Sequence, residues 1–299
     1  MPIEVKQSGI EIRTLPSWSA FVEAVRTGPK GIGLNADNFA NEVLYRGHAC
    51  VDWRLWAPLD RRLVNWVKTQ KGDLQYSSHR KELGLPWYDQ VCAKILTHFK
   101  HGCKGLPDFN RSLNDDGYWA LGRHFGLLTP LLDWTLSPYV SAFFAFSERL
   151  QHMSYGFSHF TLTGNEEKVR IWELAIWEPI EVKDEFEIIR SHSDIGARQR
   201  AQSGLFTRLR SQDHLELVPY LEDRGLAHNL VAYDLSMDAA AHAIRDLQLM
   251  NIMPRTLFPD VHGAALQANI DNSLIHISSS HYDWAARRLA VRGIPESPA

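Results

Sequence analysis

Arg46 stands at the end of a short hydrophobic run, Glu42-Val43-Leu44-Tyr45, and Gly47 follows it at once. A guanidinium there is a poor core residue and a good anion grip, because its planar fork meets two carboxylate or phosphate oxygens together. Gly47 would let a ligand close on the backbone. The competing reading is a structural ion pair with an acid elsewhere in the chain, such as Asp133. The second chemistry-bearing stretch runs from Gly122 to Pro138 and carries His124, Thr129, Asp133-Trp134-Thr135 and Ser137. Asp133 can act as a general base or as a partner of an arginine, and His124 has the side chain that titrates nearest neutrality. Ser137 before Pro138 fits a helix cap better than a nucleophile. In the third stretch, Ala197 to Phe206, Gln202 can read an amide or a sugar hydroxyl, while Gly204 and Phe206 suggest a defined turn. A solvated basic loop is the alternative.

Other chemistries lack their signatures. No Gly-rich phosphate loop, H-E-x-x-H, G-x-S-x-G or dinucleotide fingerprint is present, which disfavours a kinase, a zinc protease and a standard hydrolase.

The elements that must position these residues can be read from periodicity. Ser17–Arg26 reads as an amphipathic helix capped by Ser17 or Ser19, followed by a loop to Asn41. Glu42–Tyr45 reads as a strand running into Arg46. Trp56–Lys68, Pro86–His101 and Asp115–Phe125 read as helices, the last capped by Asn114 or Asp115 and closed by Gly126. Leu131–Trp134 is a short buried strand, and Pro138–Ser147 a helix. Val169–Trp177 and Asn229–Leu235 read as strands, Met237–Met250, Pro259–Asn269 and Tyr282–Arg292 as helices. The expected fold is α+β: a small, mixed but mainly antiparallel sheet surrounded by many helices in one domain. Its expected parts are a helical N-terminal extension (1–39), the domain (40–270) and a helical tail (271–299).

Composition bounds the class. The 299 residues are 44% hydrophobic and 22% charged, as in an ordinary globular protein. Basic residues number 32 against 35 acidic, a net charge of −3, without the basic excess of a protein that grips duplex nucleic acid through its phosphates. Three cysteines with no C-x-x-C pair argue against a disulfide framework or a structural zinc. Met1–Lys6 lacks the layout of a signal peptide, and no apolar run is long enough to span a bilayer. A cytoplasmic protein is expected. Ten tryptophans are unusual, and Trp53, Trp56 and Trp134, set beside polar segments, suggest a cleft.

Taken together, the spaced motifs resemble the FRG-domain family, named for an aromatic-Arg-Gly element, here Tyr45-Arg46-Gly47. Trp53-Arg54-Leu55, Pro58 and Arg61 or Arg62 resemble its next element. Its longest signature is of the form Q-H-Y-G-L-P-T-R-L-L-D-W-T followed by S-P. It is met at His124, Gly126, Leu127, Thr129, Leu131 to Thr135 and Ser137-Pro138, with Ala142 to Ala145 behind. Gln202, Gly204 and Phe206, then Leu257 to Asp260 with Gly263, resemble the remaining elements. Arg123 stands in place of Gln, Leu128 of Pro and Pro130 of Arg, so a second guanidinium is missing from its usual place. The resemblance implies a component of bacterial and phage conflict systems. A further similarity, to ADP-ribosyltransferases of the arginine-serine-glutamate type, rests on the order Arg46, Asp133-Trp134-Thr135 with Ser137, then Gln202; the expected Glu is not apparent at the third place.

The expected site is therefore Arg46, Asp133, Thr135 and Gln202 as catalytic groups. Tyr45, Gly47, Arg61, His124, Thr129, Trp134, Ser137 and Phe206 surround a nucleotide-type ligand. No cofactor is required, NAD is a candidate substrate, no metal is expected, and a protein partner or a phage-derived trigger is a candidate regulator. A ligand-sensing module without catalysis and, less well supported, a nuclease are the other classes.

Overall fold

A computed structural model describes residues 3–7, 9–27, 42–71, 88–106, 113–154, 168–176, 185–190, 197–211 and 213–273. Its centre is an eight-stranded sheet in the order β1-β2-β8-β5-β3-β4-β7-β6. The strands are β1 (Ile3–Gln7), β2 (Ile10–Leu15), β3 (Glu42–His48), β4 (Leu131–Thr135), β5 (Lys168–Ile176), β6 (Phe186–Ile189), β7 (Gly204–Leu209) and β8 (Leu230–Ser236). Only β2 and β8 run parallel; every other neighbouring pair is antiparallel. The α+β class and the mixed, mainly antiparallel sheet agree with expectation, but the sheet is larger than expected.

Both faces are covered, so the central strands β5 and β8 are buried along most of their length rather than alternating buried and exposed. On one face α1 (Trp18–Thr27), α5 (Pro138–Ser154) and α8 (Ala240–Leu249) pack over Tyr45, Ile171 and Tyr233. On the other, α7 (Leu217–Asp223) closes over Leu44, Trp172 and Leu174. A third cluster joins α3 (Tyr88–Cys103) and α4 (Asp115–His124) to Leu131 and Phe206. The remaining described helices are α2 (Pro58–Lys71), α6 (Ala197–Ala201), α9 (Pro254–Leu257) and a helix over 261–273, α10.

Local chemistry explains the helix ends. The Ser17 hydroxyl accepts from the Ala20 amide at 3.2 Å, and the Asn114 side chain from the Gly117 amide at 2.8 Å. Gly126 closes α4 at φ +87°, where a side chain would be strained. The strand from Glu42 continues through Arg46 to His48, and α5 runs to Ser154 rather than Ser147. Met237–Ala239 is a 3-10 turn leading into α8. The N-terminal segment contributes two strands as well as its helix. The loop expected up to Asn41, Pro86 at the start of its expected helix, and the helix expected over Tyr282–Arg292 lie outside the described residues. No helix among the described residues is long and apolar enough to cross a membrane.

Candidate functional site

β3 and β4 share a single register pair, Tyr45 with Thr135, whereas β3 pairs with β5 over seven positions and β4 with β7 over five. Beyond that pair the two strands part. The split opens a cavity of about 400 Å³, within the range that takes a nucleotide-sized ligand. Residues from both faces of β3 line it: Tyr45 and Gly47 from one, Arg46 and His48 from the other. α4 contributes Arg123 and His124, β4 contributes Asp133 to Thr135, and α5 contributes Ser141, Phe144 and Glu148. Arg54, Trp53, Trp56 and Arg61 enter from the segment after β3, and Arg198, Gln199, Gln202 and Phe258 from the later chain.

Arg46 spans the split. Its Nη1 donates to the Asp133 backbone carbonyl at 2.7 Å, filling a place that strand pairing leaves empty, and lies 3.6 Å from the Asp133 carboxylate. Arg123 holds that carboxylate more firmly: Nε lies 3.1 Å from both oxygens, and Nη2 donates to Oδ2 at 2.7 Å. Burial would push the Asp133 carboxyl up, but Arg123 and then Arg46 outweigh it and hold it below the ordinary carboxylate range. Burial lowers Arg46 from the usual arginine value, with Asp133 opposing; in Arg123 the same acid more than offsets burial. The pair is not a sealed core link, since 21% of the Arg46 side chain and 38% of Asp133 remain exposed.

Two donor corners stay open. Arg46 spends Nε on His48 and Nη1 on Asp133, and its Nη2 has no partner among the described residues. Arg123 spends Nε and Nη2 on Asp133, and its Nη1 has none. Arg54 is matched by Glu216 at 3.1 Å and Arg198 by Asp260 at 2.5 Å. That leaves three lining guanidiniums (Arg46, Arg61, Arg123) against two lining carboxylates (Asp133, Glu148), three minus two, or one net positive charge. An anion is the complementary ligand.

The expected catalytic four, Arg46, Asp133, Thr135 and Gln202, do line one cavity, and Tyr45, Gly47, Arg61, His124, Trp134 and Phe206 line it with them. Thr129 and Ser137 do not. Thr129 is fully buried, with its carbonyl accepting from the Leu59 amide, and Ser137 caps α5 by accepting from the Val140 amide at 3.3 Å. Several lining residues are tied to the scaffold. The Thr135 hydroxyl donates to the Gln202 carbonyl at 2.6 Å and accepts from the Ser137 amide, and Gln202 Nε2 donates to the Leu257 carbonyl at 3.1 Å. Trp134 is 3% exposed with its indole N–H on Thr207, so it cannot stack on a base; half-buried Trp53 and Trp56 are placed to do so. Gly47 serves a different neighbour from the one expected. A Cβ there would lie 2.0 Å from the Ser141 carbonyl oxygen and 2.8 Å from the Ala145 nitrogen, so its bareness admits α5 rather than a ligand. Burial, then Arg198, lowers the His124 pKa, keeping that imidazole neutral at neutral pH.

Sequence reasoning missed Glu148, Arg123 as the chief partner of Asp133, and His48. Glu148 was findable: on a helix starting at Pro138, positions 141, 144 or 145 and 148 share a face. The Arg123 substitution also supplies a second guanidinium, from α4, while Pro130 lies outside the cavity.

An arginine-lined cavity at the fork of a mixed sheet is the class of site defined here. The family model of the FRG domain matches residues 41–154. No curated protein and no solved structure matches the chain.

Proposed function

We propose that the cavity holds the phosphates of a nucleotide-type ligand, that NAD is the substrate, and that the protein cleaves its bond to nicotinamide. The observation that carries this is the pair of unpaired guanidinium corners, Arg46 Nη2 and Arg123 Nη1, beside a single shared carboxylate in an open cavity. Non-bridging phosphate oxygens would take those corners, with Arg61 as a third cation, and the rings of Trp53 and Trp56 would face a base. Asp133 is spent on its two arginines. Glu148 is the other carboxylate of the wall, near enough for its charge to favour the protonated form of both guanidiniums. In hydrolysis the ribose C1′–N bond breaks, its electron pair leaves with nicotinamide, and a water oxygen bonds to C1′. Glu148 would stabilise the positive centre and accept the proton of that water. In this proposal the protein serves a bacterial anti-phage system, the setting the family resemblance implies, with a phage-derived trigger or partner deciding when it acts.

Incubation with NAD, followed by chromatography, tests the reading. Nicotinamide release is expected, with Glu148→Gln at least 100-fold slower and its NAD affinity little changed, and with Arg46→Ala about 100-fold weaker in affinity. Undiminished NAD at every protein concentration overturns the catalytic part. A second reading, ligand sensing without turnover, is favoured by the side chains of Thr135 and Gln202, which are already occupied by backbone partners. Thermal stabilisation by NAD without consumption would select it.

A further inference from the structure

His48 is 2% exposed, follows Arg46 by two positions on the same strand face, and meets two obligate donors. Arg46 Nε lies 3.0 Å from its Nε2, and Trp172 Nε1 lies 3.2 Å from its Nδ1. A neutral imidazole offers one lone pair, so only one of those N–H groups can have a full hydrogen bond. The guanidinium is the charged donor, and a charge-assisted bond is roughly twice as strong as a neutral one, which decides the competition for Arg46. The imidazole also hydrogen-bonds the Trp53 backbone. Burial, then Arg46, hold the His48 pKa well below its ordinary value, so the lone pair survives at neutral pH.

We infer that His48, as its Nδ1–H tautomer, is a positioning residue that fixes Arg46 by Nε and so leaves the Nη2 corner for an anion. With Nε on His48 and Nη1 on the Asp133 carbonyl, the guanidinium is pinned at two corners of three. Its freedom to turn is spent before a ligand arrives, which is the preorganisation that raises affinity without adding a contact. Trp172, 4% exposed, gives up its acceptor in this arrangement, a local mismatch of the kind that accumulates at functional sites.

The inference rests on the anion-binding reading, and its test separates the two. Gln at this position carries its oxygen near where Nε2 sits, and Asn carries its oxygen near Nδ1. Calorimetric titration with inorganic pyrophosphate is expected to show His48→Gln within about threefold of the unsubstituted protein. His48→Asn should be at least tenfold weaker, the loss of one charge-assisted bond. Equal weakening in both, with equal loss of melting temperature, would mean that His48 only fills space and would overturn the inference. If the unsubstituted protein binds no pyrophosphate, the ligand reading fails, and nitrogen NMR of the free protein still decides the role of His48. A protonated Nδ1, together with an Arg46 Nε–H that exchanges slowly with solvent, supports it; a protonated Nε2 overturns it without any substitution.

Discussion

Glu173 is a carboxyl that burial lifts well above its ordinary range. It sits in the middle of β5, fully buried, beside Tyr45 and Tyr233, whose hydroxyl donates to Oε2 at 3.2 Å. Burial lifts its pKa to about 7, and the tyrosines and Arg13 recover only part of the shift. The folded state therefore binds a proton between about pH 4.5 and 7 that the unfolded chain has released. Stability from this group is present below the unfolded pKa and is lost as pH rises through the folded one, by about 3 kcal/mol in all. His48 and His124 have lowered pKa values and push the other way, so the useful quantity is a difference. Glu173→Gln should match the parent near pH 5 and exceed its unfolding free energy at pH 8 by up to about 3 kcal/mol in urea titrations. A gap that does not grow with pH would show that the carboxyl is ionised in the fold. At this scale Arg46 and Asp133 were legible because their types are wrong for their apolar surroundings. Glu173 was not, since one acid inside an apolar run says nothing of the two tyrosines that the other strands bring to it.

Elements place the site through how closely they approach. α5 lies so near β3 at Gly47 that a methyl group would meet helix backbone, which cannot rotate away. Gly126 poses the opposite case: a Cβ there touches nothing, and only φ +87° resists it. Gly47→Ala should cost about 3 kcal/mol and distort the split between β3 and β4, whereas Gly126→Ala should cost about 1 kcal/mol and leave the cavity intact. Chemical denaturation of the two variants measures both numbers, and equal costs would refute this account of α5 packing. Helices with a cap and a steady apolar stripe, such as α1 and α4, could be read from the chain. β7 could not: Gly204–Leu209 carries Arg208, which is buried by its ion pairs with Glu187 and Asp116, so its pattern looks polar until partners 21 and 92 residues away are known. β6, four residues long, has too short a pattern to stand out.

The whole molecule is needed to make the cavity, and here the family match and the physical unit diverge. Residues 41–154 hold β3, β4 and α5, hence Arg46, Asp133 and Glu148. Yet β3 finds most of its hydrogen bonds on β5 and β4 all of its longer ladder on β7, and both partners lie beyond residue 154. Within the matched segment the two strands share one register pair, too little to pay for ordering either. Arg198, Gln202 and Phe258, which complete the wall, come later still. Their arrival from distant sequence is why the motifs could be seen one by one while the enclosure could not. A fragment of residues 41–154 should therefore be unfolded, with a circular dichroism spectrum lacking a cooperative thermal transition and rapid loss to protease, while the full chain resists. A fragment that melts cooperatively and binds pyrophosphate as the full chain does would mean that the split between β3 and β4 is not what builds the site.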